Sequence, residues 1–428
     1  MQGGPVGVPR VATFAAGGGF VKAEAQQLVE FCVELDAQDD RNRRPADPRF
    51  NARVDAALWT RAFDSRDAVA RDFIAWRERE ARGVPPPAVL PDDDLGYWAK
   101  LYRAIAATAA FRHLQIKSAA DVSGNPDLNG FGPWQNAWIL YRGVGANAGS
   151  FAIAIRGTVF SNTPSAIEDA IFQPVVGRQF LSAAVSFSHG ENAHLHGGFV
   201  HAAFTLLLDR RYGVLQVLAD QGVPPHSLVF ITGHSQGAAM ATLVHSFLVN
   251  AMSDAQRGST DPLGLGGACY RLKSYAIAQP KPGNYSFAAE FAACTQSADC
   301  ALVINNHIDP VPKVPMTLES TADVETDFTG HSLLARLLRA VGGLGKALRS
   351  LIAGVIEPLT RESAEGYGNF YRYAELRPIG KDRIGSSWNF VPAGRVLLVY
   401  GTPLPDPSSD LFFQHHATTY RDLIAEQL

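Results

Sequence analysis

A ten-residue stretch at residues 229–238 constrains the fold of this chain more than any other part of the sequence. A run of β-forming residues ends at Gly233, and small residues with helical spacing follow Gly237. In a Gly-x-Ser-x-Gly pattern, this order predicts a strand, a strained turn and a helix, with the serine hydroxyl exposed above a sheet. Ser235 is therefore predicted to be a nucleophile, and other segments are expected to supply a base, an acid and oxyanion donors.

Short apolar runs separated by helical patterns predict a mostly parallel central sheet that is covered by helices on both faces. The expected fold class is therefore α/β. Helices are predicted at residues 199–208 and 237–252. The expected strands are residues 137–141, 151–155, 228–232, 274–278, 301–305 and 396–400.

Composition excludes several other classes of protein. The 428 residues are 46% hydrophobic and 18% charged, with a formal net charge of −3, which is ordinary for a globular protein. The basic residues are scattered, so a nucleic-acid partner is not expected. No apolar run is long enough to span a bilayer. The first residues lack a secretory signal, which favours a cytoplasmic protein or the mature form of a secreted one.

Four cysteines leave the redox compartment open. Cys32 and Cys269 have apolar or small neighbours and are expected to be core thiols. Cys294 and Cys300 lie close enough in sequence to close a small loop by a disulfide, but spacing alone does not decide the matter. No cysteine pairing of the metal-binding type is present, and neither a metal nor a cofactor is expected.

The chain is expected to divide near residue 94. Residues 1–94 are predicted to form a tail and a helical extension, and residues 95–428 the main domain. A proline-rich break at residues 84–87 precedes this boundary, and an acidic cap predicts a helix at residues 95–112.

Candidates for the acid and the base lie downstream of Ser235. Asp309 directly follows a predicted strand, where parallel sheets place their functional loops. His415 and His416 follow the last predicted strand, so either completes the chain order serine, acid, histidine. The backbone of Gln236, next to the nucleophile, is expected to supply one oxyanion donor, and Thr158, after an earlier strand, the other.

The candidate nucleophile, acid, histidines and oxyanion residues, in this chain order, resemble those of the class 3 lipase family, the α/β-hydrolases that include the fungal triacylglycerol lipases. The resemblance covers roughly residues 95–315 and the C-terminal histidine. The matching motifs are Ala-Ile-Arg-Gly-Thr at 154–158, His-Gly-Gly-Phe at 196–199, Thr-Gly-His-Ser-Gln-Gly at 232–237, Gln-Pro-Lys-Pro-Gly-Asn at 279–284 and Asp-Pro-Val-Pro at 309–312.

The resemblance implies an α/β-hydrolase of bacterial type in which Ser235 is the nucleophile and Asp309 the triad acid. It also implies that Thr158 and Gln236 bind the oxyanion. In many bacterial relatives the catalytic histidine precedes a tyrosine by several positions. Tyr420 permits either His415 or His416, and His415 is favoured. His234, beside the nucleophile, is expected to support the site and not to act as a second base.

The sequence departs from the family pattern in a long helical insertion, predicted at residues 318–390 before the last strand. Within it, residues 331–356 are amphipathic, with basic residues on the polar face, and core packing, a lid and a lipid-surface role all remain open. Residues 160–194 are a second candidate lid, because the family usually carries its lid between the oxyanion loop and the elbow.

The expected activity is that of a lipase or esterase that cleaves acylglycerols or related lipid esters through an acyl-enzyme. The partner is then a lipid or ester substrate, with a lipid–water interface as an open alternative. A phospholipase, an acyltransferase or a polyester depolymerase would use the same triad. A non-catalytic protein that binds lipid surfaces on the same fold is the alternative from a different class.

Overall fold

A computed structural model describes residues 15–43, 48–71, 82, 130–131, 136–158, 174–178, 186–209, 211–257, 263–315, 387, 389–405, 410 and 412–428. The predicted domain boundary at residue 94 and the helix at 95–112 lie outside the described residues, as does nearly all of the insertion at 318–390.

Strands and helices alternate along most of the described chain. The strands are β1 (Trp59–Asp64), β2 (Trp138–Gly143), β3 (Ser150–Ile155), β4 (Pro174–Val176), β5 (His194–His196), β6 (Leu228–His234), β7 (Arg271–Ile277), β8 (Gly283–Asn284), β9 (Ala301–Asn306), β10 (Phe390–Val391) and β11 (Arg395–Val399). The main helices are α1 (Lys22–Arg43), α2 (Gly197–Leu208), α3 (Val214–Asp220), α4 (Gln236–Gln256), α5 (Tyr285–Thr295) and α6 (Ala417–Gln427).

The central sheet has seven strands in the order β1-β2-β3-β6-β7-β9-β11. The five strands from β3 to β11 are parallel, and β1 and β2 add an antiparallel edge. All six predicted strands are present in this sheet, and the predicted mostly parallel α/β architecture is confirmed. A second sheet of four short antiparallel strands has the order β10-β8-β5-β4.

Helices cover the central sheet on both faces, which explains why its strands are apolar on both sides. One face packs against α1 and α6, with Phe31, Tyr141, Phe230 and Tyr420 in the shared core. The other face packs against α2, α4 and α5 in a larger core. Helix α4 follows directly from β6 and is buried along most of its length. The two layers hold the ends of the parallel strands in fixed positions.

The N-terminal region also contributes a strand, which the helical prediction for residues 1–94 did not include. Strand β1 pairs with β2, but its register shifts between Arg61 and Phe63. Such a bulge interrupts the alternation of buried and exposed residues by which an edge strand is recognised in a sequence. Helix α1 lies within the predicted helical extension, and it packs on the sheet.

Part of the candidate lid at residues 160–194 is described. Strand β4 pairs with β5 in the small sheet, and Val175 is buried in the core. Cys294 and Cys300 are free thiols, as are Cys32 and Cys269. Within the described residues, no helix is both long enough and apolar enough to cross a bilayer. The same residues contain no cluster of three side chains suited to hold a metal ion.

Candidate active site

Ser235 occupies the turn between β6 and α4 with φ of 59° and ψ of −132°. A residue with a Cβ atom rarely adopts positive φ, so this backbone is strained. Two hydrogen bonds hold it: the Ser235 N–H donates to the Ile277 carbonyl at 3.0 Å, and the Ala238 N–H donates to the Ser235 carbonyl at 2.8 Å. The turn places the side chain of Ser235 beyond the end of β6 and at the beginning of α4.

Glycines allow the close packing that this turn requires. A Cβ atom at Gly233 would overlap the backbone of Gly237, and one at Gly237 would overlap the carbonyl oxygen of Ile155. Backbone atoms cannot move aside as a flexible side chain would. The two flanking glycines of the motif therefore let β6, the first turn of α4 and the end of β3 converge around Ser235.

Ser235, His415 and Asp309 form one hydrogen-bonded chain. The Nε2 atom of His415 lies 2.8 Å from Ser235 Oγ, and its Nδ1 atom lies 2.8 Å from Asp309 Oδ2. With Asp309 ionised, Nδ1 carries the proton and donates it, which leaves Nε2 as an acceptor for the serine O–H. All three side chains are buried, with 5%, 4% and 0% of the residue surface exposed, respectively. The residues are separated by 180 and 106 positions in the chain, and the fold brings them together.

The carboxylate of Asp309 is held by donors on both oxygens. The Val311 N–H donates to Oδ1 at 2.9 Å, and the Tyr420 O–H donates to Oδ2 at 2.8 Å. Burial alone would raise the pKa of Asp309, but these hydrogen bonds and the one from His415 outweigh it and hold the pKa below its usual value. The group is therefore a carboxylate near neutral pH.

Tyr420 and Asn306 join the acid loop to the histidine loop. The Tyr420 hydroxyl accepts a hydrogen bond from the Asn306 N–H at 2.9 Å, in addition to the bond that it donates to Asp309. The Asn306 side chain donates to Gln414 Oε1 at 2.8 Å and accepts from the Gly401 N–H at 3.0 Å. In the sequence, Tyr420 indicates only where the histidine lies. Its spacing from His415 was the signal that could have suggested a direct role.

His416 points away from the nucleophile. Its Nε2 atom lies 3.1 Å from Asp410 Oδ2, and its ring packs edge-on against Phe50 with centroids 5.5 Å apart. The backbone explains the separation, because His415 ends a short 3-10 helix and His416 is the extended N-cap residue that precedes α6. Of the two candidate histidines, the structure therefore brings His415 to Ser235 and Asp309.

Burial of the His415 ring lowers its pKa, and the nearby charge of His234 lowers it further. The hydrogen bond and the charge of Asp309 act in the opposite direction, and the net pKa is below the usual value. His415 is therefore neutral near pH 7, which is the state that accepts a proton.

The two predicted oxyanion residues flank the turn. Gln236 begins α4, so its N–H lies at the positive end of the helix dipole. Thr158 follows β3, and the loop before it is packed against the nucleophile. A Cβ atom placed at Gly157 would lie only 3.1 Å from Ser235 Cβ and 2.7 Å from the His234 carbonyl oxygen. The arrangement brings the backbone after β3 to the side of Ser235.

Comparison with known proteins gives a family model that matches the central part of the chain. The model for lipase (class 3) matches residues 152–319, which contain Ser235 and Asp309. No curated protein sequence matches the chain.

Solved structures of fungal lipases are similar to parts of the chain. A Rhizomucor miehei lipase propeptide complex is 19% identical, with a TM-score of 0.28, over 51% of this chain and 62% of that one. Lipase II from Rhizopus niveus is 22% identical, with a TM-score of 0.29, over 51% of this chain and 74% of that one. Lip2 lipase from Yarrowia lipolytica is 19% identical, with a TM-score of 0.31, over 45% of this chain and 60% of that one.

The family match agrees with the resemblance seen in the sequence motifs, and the observed sheet agrees with the α/β-hydrolase architecture which that resemblance implies. Residues 152–319 thus match the class 3 lipase family, and this part of the chain is similar to lipase-type ester hydrolases.

Proposed function

We propose that the protein hydrolyses carboxylic esters of the acylglycerol type through an acyl-enzyme, with Ser235 as nucleophile, His415 as base and Asp309 as orienting acid. The observation that carries the proposal is the position of His415, which lies 2.8 Å from both Ser235 Oγ and Asp309 Oδ2. Serine is a weak nucleophile until a base removes its proton, and this geometry supplies that base.

Acylation begins when Ser235 Oγ attacks the ester carbonyl carbon and its proton moves to His415 Nε2. The tetrahedral intermediate collapses as the carbon–oxygen bond to the leaving alcohol breaks, and the alcohol takes the proton from His415. Asp309 remains ionised throughout, holds the tautomer of His415 and stabilises the imidazolium. The low pKa of Asp309 supports this role, because a carboxylate that took the proton could not stabilise the charged ring.

Deacylation repeats these steps with water in place of the alcohol. Water gives a proton to His415 Nε2 as its oxygen attacks the acyl carbon, and Ser235 Oγ leaves with that proton. In both halves the negative oxygen of the intermediate is bound by the backbone donors assigned to Gln236 and Thr158. Losing one such donor typically costs about 3–4 kcal/mol of barrier.

A short-chain nitrophenyl ester tests this proposal in solution. Wild-type protein should release a burst of nitrophenol followed by slower turnover, as expected when an acyl-enzyme accumulates. Ser235→Ala should lose both phases. Ser150→Ala is the matched control, because Ser150 begins β3 and lies at the opposite end of that strand from the oxyanion loop. Equal turnover by wild type and Ser235→Ala would contradict the proposal, and wild-type turnover no faster than the uncatalysed rate would favour a non-catalytic lipid-binding protein.

Triglyceride hydrolysis measured below and above the solubility limit separates a lipase from an esterase. A rate that rises sharply once an interface forms supports a lipase with a moving cover. A rate that saturates below the limit supports an esterase that acts on dissolved substrate. Adding an acceptor alcohol in the same assay shows whether the acyl-enzyme transfers its acyl group to water or to the acceptor.

A further inference from the structure

The side chain of His234 lies behind the candidate triad, between two oxygen atoms. Its Nε2 atom is 2.6 Å from the backbone carbonyl oxygen of His415. Its Nδ1 atom is 2.8 Å from Oδ2 of Asp36, a residue of α1. His234 is buried, with 6% of its surface exposed, so water does not replace either partner.

These contacts decide the protonation state of His234. A backbone carbonyl only accepts hydrogen bonds, so the Nε2 atom has to carry a proton. An ionised carboxylate also only accepts, so the Nδ1 atom has to carry one as well. An imidazole with protons on both nitrogens is a cation. His234 and Asp36 therefore form a partly buried ion pair, with the second donor of the ring directed at the backbone of His415.

We propose that the His234–Asp36 ion pair is a positioning device for His415, which holds its backbone carbonyl and places a fixed positive charge beside its ring. This inference rests on the proposed function, in which His415 is the base. The rings of His234 and His415 have centroids 4.7 Å apart and are tilted by 35°. A cation at this distance disfavours a second cation, so it keeps His415 neutral and ready to accept a proton.

The other ionisable groups around His234 fit this charge distribution. Tyr420, from α6, packs edge-on at 6.0 Å, and burial raises its pKa, so it stays neutral. Cys32, from α1, is also buried and has a raised pKa. Asp309 approaches from the loop after β9 and adds a negative charge beyond His415. His416, on the far side of His415, has a lowered pKa and adds no charge near pH 7.

The direction of the pKa of His234 agrees with the geometry. Burial alone would lower it, but the charge of Asp36 and its hydrogen bond outweigh burial, and the net pKa is raised. For His415, burial lowers the pKa first and the charge of His234 adds to that effect. His234 and Ser235, which are neighbours in the sequence, therefore both contact His415. Ser235 contacts its ring, and His234 contacts its backbone carbonyl.

Asp36 connects the N-terminal helix α1 to the candidate active site through its contact with His234. It lies outside residues 152–319, the part that matches the family model, and it belongs to α1, in the predicted helical extension. Because α1 packs on the sheet beside α6, its docking brings Asp36 to His234. An intact N-terminal helix is therefore expected to be required for full activity of the base.

Nuclear magnetic resonance of isotope-labelled histidine nitrogens tests the ion pair directly and requires no activity. His234 should show two protonated ring nitrogens near neutral pH, and its signals are assigned as those missing in His234→Gln. In Asp36→Asn the ring should lose its charge. A single protonated nitrogen on His234 at neutral pH in wild type would overturn the proposal.

Kinetics of a soluble nitrophenyl ester test the positioning role. In Asp36→Asn, kcat should fall about tenfold, because an interaction with a charged group is lost, while KM is unchanged. The acid limb of the pH profile should move up by less than about one pH unit, because the charge of His234 lowers the pKa of His415 more than the charge of Asp36 raises it, and both charges are lost.

Glu24→Gln is the matched control for these kinetics. Glu24 also lies on α1, and its carboxylate also contacts side chains of the sheet. Its Oε2 atom lies 2.6 Å from the Tyr275 hydroxyl and 2.6 Å from Lys273 Nζ. Neither partner contacts the triad, so this variant should lower stability and leave the pH profile unchanged. Coincident profiles for wild type and Asp36→Asn would refute the positioning role. A wild type without any hydrolysis would refute the proposed function, and the ring-nitrogen signals would still decide the ion pair.

Discussion

At the scale of single residues, the candidate site depends on how each ionisable group is surrounded. Asp309 and His415 are both buried, yet Asp309 is held charged by three donors while His415 is held neutral. The charged Asp309 can therefore orient the ring, and the neutral His415 can accept the proton. The adjacent His416 has a different carboxylate partner and no contact with the nucleophile.

The two neighbouring histidines predict very different consequences of substitution. His415→Ala should lower kcat for a nitrophenyl ester by about 10⁴-fold or more, because removal of the base disables the whole triad. His416→Ala should keep most of the activity and lose some stability, since it removes a partly buried contact with Asp410 and Phe50. Steady-state kinetics with both proteins checks this pair. A larger loss in His416→Ala would assign the base to the other histidine.

The pKa of His415 predicts the acid limb of the pH profile. The base works only when neutral, so kcat/KM should fall as the pH drops through the pKa of His415. That pKa is lowered, so the midpoint should lie below about 6.5, the ordinary value for histidine. Measurement of kcat/KM for a soluble ester across the acidic range tests this expectation. A midpoint at or above the ordinary value would show that the surroundings do not favour the neutral ring.

At the scale of elements, the site depends on the close approach of β3, β6 and α4. The turn at Ser235 has positive φ, and the glycines on either side remove atoms that would collide with neighbouring backbone. Strands β6 and β9 are parallel and only β7 separates them, so Ser235 and Asp309 both follow the carboxyl ends of strands on the same side of the molecule. The strained turn is thus maintained by the packing of the elements around it.

Gly237→Ala should be strongly destabilising. Its new methyl group would collide with the carbonyl oxygen of Ile155, so β3 and α4 would have to separate. Overpacking of this kind costs about 1–3 kcal/mol, occasionally more. Gly267→Ala is the matched control, because a Cβ atom there meets no atom within 4 Å. Denaturant unfolding of the two variants should differ by this amount, and equal midpoints would contradict the packing.

Much of the fold was predictable from the sequence because parallel strands that are buried on both faces read as continuous apolar runs. The elbow, Asp309 and the pair of candidate histidines also followed from chain order and motifs, which favoured His415 but left His416 open. Strand β1 was not predictable from the sequence, since its bulge between Arg61 and Phe63 removes the alternating pattern. The contact of Asp36 with His234 was not predictable either, because an acidic residue on the polar face of a helix is expected to be exposed to solvent.

At the scale of the whole molecule, the core contains a second histidine that the proposed chemistry does not use. His245, on α4, is fully buried, and its Nδ1 atom lies 2.8 Å from Ser274 Oγ. Burial lowers its pKa to about 3. The ring is therefore neutral in the folded protein across the range in which it titrates when the chain is unfolded.

This difference makes the stability of the fold depend on pH. The folded-state pKa of His245 lies below the unfolded value, so the unfolded chain binds the proton first as the pH falls. Stability is complete above about pH 6.5 and declines below it, by about 3 kcal/mol at pH 4.5 from this residue alone. Urea unfolding of wild type and His245→Gln at both pH values should show a smaller decline in the variant. An equal loss of unfolding free energy in both proteins would contradict a neutral buried ring at His245.

The central claim is that the fold activates Ser235 as an acyl-transfer nucleophile, and covalent labelling tests it most directly. A fluorophosphonate probe followed by peptide mass spectrometry should find one adduct, on Ser235, in the folded wild-type protein. His415→Ala should label far more slowly, because the proton of Ser235 then has no acceptor. Absence of an adduct on Ser235, or modification of a different serine with Ser235 intact, would contradict the account.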